Sequence, residues 1–253
     1  MYKQSPIHIE KIHTELTKAL SDIRISDNVK DIITSGYFDL AFEHFSSMLI
    51  LAEGQKYGSA LVLTRVIFEA FIKAQWVTEV CSYKKAEGIY RRTRDRFAEM
   101  AQLVKDLDDS FYCKNKTDNE EFGPMGIMVK EKWRELCDYT HNSMQAQVTK
   151  RVKNGLFIPT YTKEEVLSLL DFATGVMCLF AIYYFTKKEL PQKANIFKKF
   201  ILPNEYEEID DEFLLHFVKN MTCEQCIEMS TKIPEWNNTD EFCVMCKEMK
   251  LRY

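Results

Sequence analysis

Residues 59–81 read SALVLTRVIFEAFIKAQWVTEVC, and this stretch indicates the fold class of the chain. Its apolar residues fall on nearly every side of a helix and not on a single stripe. A helix of that kind has to bury most of its circumference, so it belongs at the centre of a helical bundle. The first two of its four charged residues, Arg65 and Glu69, interrupt the apolar pattern at i and i+4 spacing.

The remaining sequence up to about residue 190 shows the same helical spacing. Helices are predicted over residues 37–53, 59–81, 83–107, 127–148 and 163–189. Polar segments containing Gly or Pro, at 112–126 and 154–162, predict loops between them. Thr162 is followed three residues later by Glu165, the pattern of a capping box at a helix start. With 8 Gly and 6 Pro in 253 residues and no strand-like alternation, the sequence predicts an all-α fold.

Composition and charge limit the location and the partners of the protein. The N-terminus has no apolar segment of signal-peptide length. The most apolar run, residues 172–185, is short for a membrane span and predicts a buried core helix. We therefore expect a cytoplasmic protein that does not cross a membrane. The net charge is −4, so any nucleic acid would have to bind a local patch.

One polar stripe lies in the stretch RELCDYTHNSMQ, residues 134–145. Arg134, Asp138 and His141 fall at i, i+4 and i+7 and therefore share one side of a helix. A free imidazole titrates near neutral pH and can transfer protons, while a guanidinium suits a phosphate. The stripe is thus either a site that could cleave RNA or a solvated face with an Arg134–Asp138 ion pair.

Arg65 and Glu69 pose a second question, because an unpaired buried charge costs several kcal/mol. One interpretation is a structural ion pair, completed by Lys73 or by the Trp76 indole. The other places Arg65 and Glu69 in a polar pocket together with the stripe that contains His141.

The C-terminal residues differ in character from the rest, and we predict a domain boundary that separates 1–200 from 201–253. The tail contains two C-x2-C pairs, formed by Cys223, Cys226, Cys243 and Cys246. This spacing predicts one structural zinc ion held by four thiolates, which would stabilise a tail too short to form its own core. Free buried thiols or a redox pair are the alternatives.

Two further groups of residues carry weaker signals. The basic residues Arg91, Arg92, Arg94 and Arg96 favour a solvated helix face over a phosphate-binding patch. The remaining cysteines have no partner spacing and are interpreted as small apolar residues: Cys81, Cys113, Cys137 and Cys178.

Three segments together resemble a bacterial family of unknown function that is grouped with HEPN-like helical domains. The segments read RVIFEAFIKAQWV from residue 65, WRELCDYTHNSMQAQVTKRV from residue 133, and IPTYTKEEVLSLLDFATGVMCL from residue 158. The most specific parts are the R-x3-E of Arg65 and Glu69 and the D-Y-T-H that ends at His141. The resemblance covers roughly residues 35–190.

The resemblance implies an up-and-down helical bundle and a metal-independent endoribonuclease that acts as a toxin or an antiviral-defence effector. In such enzymes an R-x4-6-H motif, often completed by a dimer partner, cleaves RNA. The resemblance therefore implies catalytic roles for Arg134 and His141. The residues that would support the site are Arg65, Glu69, Asp138 and Tyr139. Two alternatives remain open: a non-catalytic adaptor that binds a partner protein or nucleotide, and a sensor whose zinc tail recognises a foreign protein or nucleic acid.

Overall fold

A computed structural model of the chain describes residues 6–93, 96–112, 124–141, 147–153, 156–157 and 160–201. Within these ranges there are eight α-helices and one short antiparallel β-ladder. The helices are α1 (Pro6–Leu20), α2 (Val29–Glu53), α3 (Tyr57–Glu79), α4 (Tyr83–Tyr90), α5 (Met100–Tyr112), α6 (Pro124–Thr140), α7 (Lys163–Lys187) and α8 (Pro191–Ile201). The ladder pairs β1 (Val152–Lys153) with β2 (Leu156–Phe157). The predicted all-α class is confirmed for the described residues.

Hydrogen bonds near the helix ends fix the directions of α2, α3 and α7. Thr34 Oγ1, near the start of α2, lies 2.9 Å from Thr78 Oγ1, near the end of α3. Ser35 Oγ lies 2.8 Å from the hydroxyl of Tyr184, which is near the end of α7. α2 is therefore antiparallel to both α3 and α7, and α3 and α7 run in the same direction.

The α3 helix lies at the centre of the bundle, as its apolar circumference predicts. It packs against α2, α5, α6 and α7. On the side that faces α7, the ring centroids of Phe68 and Phe172 are 5.7 Å apart, and those of Phe71 and Phe180 are 5.2 Å apart. All four side chains are buried. Each buried aromatic ring stabilises the fold by about 1.5–3 kcal/mol relative to an exposed one.

The α7 helix contains the most apolar run of the chain. By length and composition it could span a membrane, but 67% of its most apolar 18-residue window is buried inside the bundle. It packs against α1, α2, α3 and α8. This environment is the one expected for a core helix.

The start of α7 forms the predicted capping box. The backbone N–H of Glu165 donates to Thr162 Oγ1 at 3.1 Å, and the backbone N–H of Thr162 donates to Glu165 Oε2 at 2.8 Å. Lys150 Nζ adds an ion pair to Glu165 Oε1 at 2.6 Å. Burial acts to raise the pKa of Glu165, but these partners outweigh burial and lower it.

Two of the predicted helices are shorter in the structure. The single helix predicted over 83–107 is wrong, because α4 ends at Tyr90 and α5 begins only at Met100. Arg92 has a φ of 52°, which a continuing α-helix does not allow. Arg91 pairs with Glu87 at 2.7 Å. The described arginines of the basic run, Arg91, Arg92 and Arg96, are therefore exposed in a connection and not on a helix.

The helix predicted over 127–148 ends earlier as well. α6 stops at Thr140. A 3₁₀ turn (Thr149–Arg151) and β1 lie between the predicted helix and the predicted loop of residues 154–162, and β2 lies within that loop. Several predictions lie outside the described residues: Arg94, Cys113, most of the 112–126 loop, the domain of residues 201–253 and its boundary, and the zinc site.

Candidate functional site

The structure brings His141 against Arg65. His141 follows the last residue of α6, and its backbone N–H continues the helical pattern by donating to the Cys137 carbonyl at 2.9 Å. Its Nε2 lies 3.0 Å from Nη1 of Arg65, on α3. Because Trp133 of α6 also lies beside Phe68 of α3, the two helices are antiparallel. His141 is exposed, whereas the Arg65 side chain is 18% exposed.

Two neighbouring side chains hold the Arg65 guanidinium in place, and a third holds one of them. Its Nε donates to Glu69 Oε1 at 2.8 Å. The other oxygen of Glu69 accepts from Lys73 Nζ at 3.3 Å. The guanidinium carbon lies 4.8 Å from the centroid of the Trp133 ring, which is a cation–π contact. Arg65 is thus fixed by an ion pair and by an aromatic ring, while its Nη1 faces the imidazole.

The contact between Arg65 and His141 defines the proton arrangement of the imidazole. A guanidinium only donates hydrogen bonds, so His141 Nε2 has to accept. In this contact the ring is therefore neutral and carries its proton on Nδ1. A proton acceptor and a fixed cation thus lie next to each other at the protein surface.

The structure separates the residues predicted for the site into two groups. Arg65, Glu69 and His141 come together, because Arg65 contacts both of the other side chains. Arg134 and Asp138 are both exposed on α6. Among the described residues, an ion pair on this helix joins Lys132 to Glu135 at 3.1 Å, and none joins Arg134 to Asp138. The guanidinium beside His141 therefore belongs to Arg65.

Two other predictions concern side chains near this site. Tyr139 is buried, and burial, followed by nearby carboxylates, raises its pKa to about 12. Lys73 completes the pair of Arg65 and Glu69, as one alternative predicted. The Trp76 indole does not, because it donates to Asp106 Oδ2 at 2.9 Å.

Two residues near the site were not predicted from the sequence. Trp133 stacks on Arg65. Its place on the same helix face as His141 could have been predicted from the sequence, because Trp133, Cys137 and His141 lie at i, i+4 and i+8 of one helix. Gln147 is buried and lies beyond the end of α6. Its Nε2 donates to the Gly58 carbonyl at 3.0 Å and to the Tyr139 carbonyl at 3.2 Å. No sequence pattern marks Gln147, because two of its partners are backbone atoms and the third, the Tyr161 hydroxyl, belongs to a different segment of the chain.

Among the described residues, no group of three or more His, Cys, Asp or Glu side chains could hold a metal ion. The cysteines Cys223, Cys226, Cys243 and Cys246 lie outside the described residues, so the zinc site stays a prediction. Of the other cysteines, Cys81 and Cys178 are buried and Cys137 is half-buried. Burial raises the pKa of the Cys178 thiol.

Comparison with known proteins places the chain in a family without giving it an activity. No curated protein and no solved structure matches it. A family model matches residues 38–199, which include α3, α6, α7 and the contact of Arg65 with His141. The chain therefore belongs to DUF6988, a family of unknown function.

Proposed function

We propose that the chain is a metal-independent endoribonuclease, acting as a toxin or an antiviral-defence effector in the cytoplasm. The observation that supports this proposal most directly is the 3.0 Å contact between Arg65 Nη1 and His141 Nε2. In the proposal His141 transfers protons and Arg65 binds the phosphate. Arg65 thus takes the role that the resemblance gave to Arg134.

The proposed reaction is a transesterification within one RNA strand. The 2′-oxygen of a ribose attacks the adjacent phosphorus while its proton passes to His141 Nε2. The bond from phosphorus to the 5′-oxygen breaks, and that oxygen takes up a proton. The products are a 2′,3′-cyclic phosphate and a 5′-hydroxyl. Arg65 stabilises the negative charge that builds on the phosphate oxygens in the transition state.

Substrate binding changes the hydrogen bond between Arg65 and His141 in this scheme. Arg65 Nη1 turns from His141 to a phosphate oxygen, and the Nε2 lone pair becomes free to accept the ribose proton. The ion pair with Glu69 and the stacking on Trp133 keep the guanidinium in place during this exchange. A preorganised cation is worth more in the transition state than one that has to be ordered.

In this scheme His141 supplies one of the two proton transfers. We therefore propose a homodimer in which the second copy protonates the leaving oxygen. Sedimentation of the purified protein at assay concentration tests this part of the proposal. A sedimentation coefficient that stays monomeric while the RNA is cleaved would contradict it.

The test of the proposed activity compares wild-type protein with His141→Ala on total RNA and on a tRNA pool, in the presence of EDTA. We expect wild-type protein to leave cyclic phosphate ends. Loss of the proton-transfer group lowers the rate by about 10²–10⁴-fold. The control variant is His44→Ala, which changes a half-buried histidine of α2. Equal cleavage by wild-type protein and His141→Ala would contradict the proposal.

One observation favours a second candidate function, a non-catalytic adaptor that binds a partner protein or a nucleotide. Glu69 already neutralises Arg65, and Lys73 already pairs with Glu69, so the cluster is satisfied without a substrate. An adaptor predicts no RNA cleavage under any condition but a stable partner in a pull-down. Loss of that partner in Trp133→Ala would locate the binding surface on this cluster.

A further inference from the structure

The buried amide of Gln147 connects the two helices that carry Arg65 and His141. The side chain is 4% exposed. Its Nε2 lies 3.0 Å from the Gly58 carbonyl oxygen and 3.2 Å from the Tyr139 carbonyl oxygen. Its Oε1 accepts from the Tyr161 hydroxyl at 2.8 Å. The orientation of the amide is unambiguous, because two carbonyl oxygens can be bonded only by the NH₂ group.

The positions of the two carbonyl groups matter for the site. Tyr139 lies in the last turn of α6, where carbonyl groups have no partner within the helix, and His141 follows two residues later. Gly58 lies in the first turn of α3, seven residues before Arg65, which is about two helical turns. The side chain of Gln147 thus connects two stretches of backbone. One is the end of α6, next to His141, and the other is the start of α3, about two turns before Arg65.

The space around Gly58 is adapted to this connection. A Cβ atom placed on Gly58 would meet Arg151 Nη2 most closely, and it would lie 2.6 Å from Gln147 Oε1 and 2.8 Å from the Tyr161 hydroxyl. All three distances are shorter than a carbon atom tolerates. The glycine therefore permits the close approach of Gln147 and Tyr161 to the start of α3.

We propose that Gln147 is a positioning residue, which holds the end of α6 against the start of α3 so that His141 Nε2 stays within hydrogen-bond distance of Arg65. The connection itself is a property of the fold. Its consequence for catalysis rests on the proposed ribonuclease function. Without the amide, the end of α6 loses its tie to α3, and the exposed imidazole leaves Arg65.

The test measures the tautomer of His141 by ¹⁵N NMR of the imidazole nitrogens at mildly alkaline pH, with the signals assigned by comparison with His141→Ala. In wild-type protein we expect the proton on Nδ1, because Nε2 accepts from Arg65. In Gln147→Met, which keeps the length of the side chain but removes the amide, we expect the mixture of tautomers of a free imidazole. An unchanged Nδ1–H tautomer in a folded Gln147→Met protein would overturn the proposal.

Two further variants separate positioning from a general loss of stability. Ser35→Ala removes a buried hydrogen bond of 2.8 Å to Tyr184, between α2 and α7, and should leave the His141 tautomer as in wild-type protein. Tyr161→Phe removes the donor to Gln147 Oε1, together with the hydrogen bond between the same hydroxyl and Arg151, and should give a partial shift. If Gln147→Met does not fold, the His141 tautomer in Tyr161→Phe tests the proposal in its place. A tautomer that shifts equally in Ser35→Ala and Tyr161→Phe would overturn the proposal.

Kinetics distinguish this proposal from the ribonuclease function. If wild-type protein cleaves RNA, Gln147→Met should lower kcat on the order of 10²-fold with little change in KM, because the reacting imidazole is misplaced while the phosphate site remains. If wild-type protein does not cleave RNA but the tautomer shifts as expected, the positioning role stands and the ribonuclease function fails. A fall in cleavage that appears only as a higher KM would contradict the positioning role.

Discussion

Replacement of Gly58 by alanine should destabilise the protein, although alanine is the better helix former. Gly58 is the second residue of α3. On propensity alone, alanine in a helix is favoured over glycine by up to about 1 kcal/mol. Gly36 provides the matched control, because it is an exposed residue within α2 and a Cβ atom there would meet nothing within 4 Å. The two substitutions therefore share the chemical change and differ in their surroundings.

The magnitude at Gly58 follows from the atoms that a Cβ would meet. Arg151 is exposed and its guanidinium can move away at little cost. Gln147 and Tyr161 cannot move as easily, because they are hydrogen-bonded to each other at 2.8 Å. Overpacking of a buried site costs about 1–3 kcal/mol, and each hydrogen bond lost from Gln147 costs about 1 kcal/mol more. After the gain in propensity, the free energy of unfolding should fall by about 1–3 kcal/mol.

Urea denaturation followed by circular dichroism measures both effects. Gly36→Ala should raise the free energy of unfolding by about 0.5–1 kcal/mol and Gly58→Ala should lower it, with similar m-values. The opposite signs are the essential result. If Gly58→Ala is as stable as Gly36→Ala, the close approach around Gly58 and the arrangement of Gln147 derived from it are wrong.

Three further predictions concern the capping box, an ion pair and the C-terminal tail. Thr162→Ala should lower the free energy of unfolding by about 1 kcal/mol, whereas Thr162→Ser, which keeps the hydroxyl, should have little effect; equal urea midpoints for the two variants would contradict the capping box. Asp31 accepts hydrogen bonds from Ser26 and forms an ion pair with Lys188. Burial acts to raise the pKa of Asp31, but these partners outweigh burial and lower the pKa from 3.8. Because the pKa is lower in the folded state, Asp31→Asn should be less stable than wild-type protein at neutral pH, and the difference should shrink as the pH falls below about 3.8; a difference that does not depend on pH would refute the linkage. Purified protein should contain about one zinc ion per chain, measured by elemental analysis, and Cys223→Ser should lose it; equal zinc content in both proteins would contradict the four-cysteine site.

The helical class and the core were predictable because they rest on local patterns. The apolar circumference of residues 59–81 is enough to place α3 in the centre. The Thr162 and Glu165 spacing gave the first turn of α7 correctly, since a capping box involves only neighbouring residues. The break after Tyr90 was missed because it depends on the conformation of Arg92, which no apolar pattern reveals.

The partner of His141 was harder to predict than the histidine itself. Spacing along one helix favoured Arg134, which lies two turns from His141 on the same element. The structure instead places Arg65 there, 76 positions away in the sequence, because α3 and α6 run antiparallel and in contact. Helical periodicity shows which residues share a face, but not which neighbouring helix faces them. The resemblance drew attention to both arginines, but it gave the catalytic role to Arg134 and only a supporting role to Arg65.

The central claim is that Arg65, and not Arg134, is the cation that works with His141. Arg65→Lys and Arg134→Lys both keep the positive charge, so their rates of RNA cleavage, compared side by side, test the claim most directly. Lysine lacks the planar fork that pairs with Glu69 and faces His141, so Arg65→Lys should slow cleavage by about 10²-fold or more, while Arg134→Lys stays within a few-fold of wild-type protein. The reverse order, with Arg134→Lys inactive and Arg65→Lys unaffected, would contradict the account.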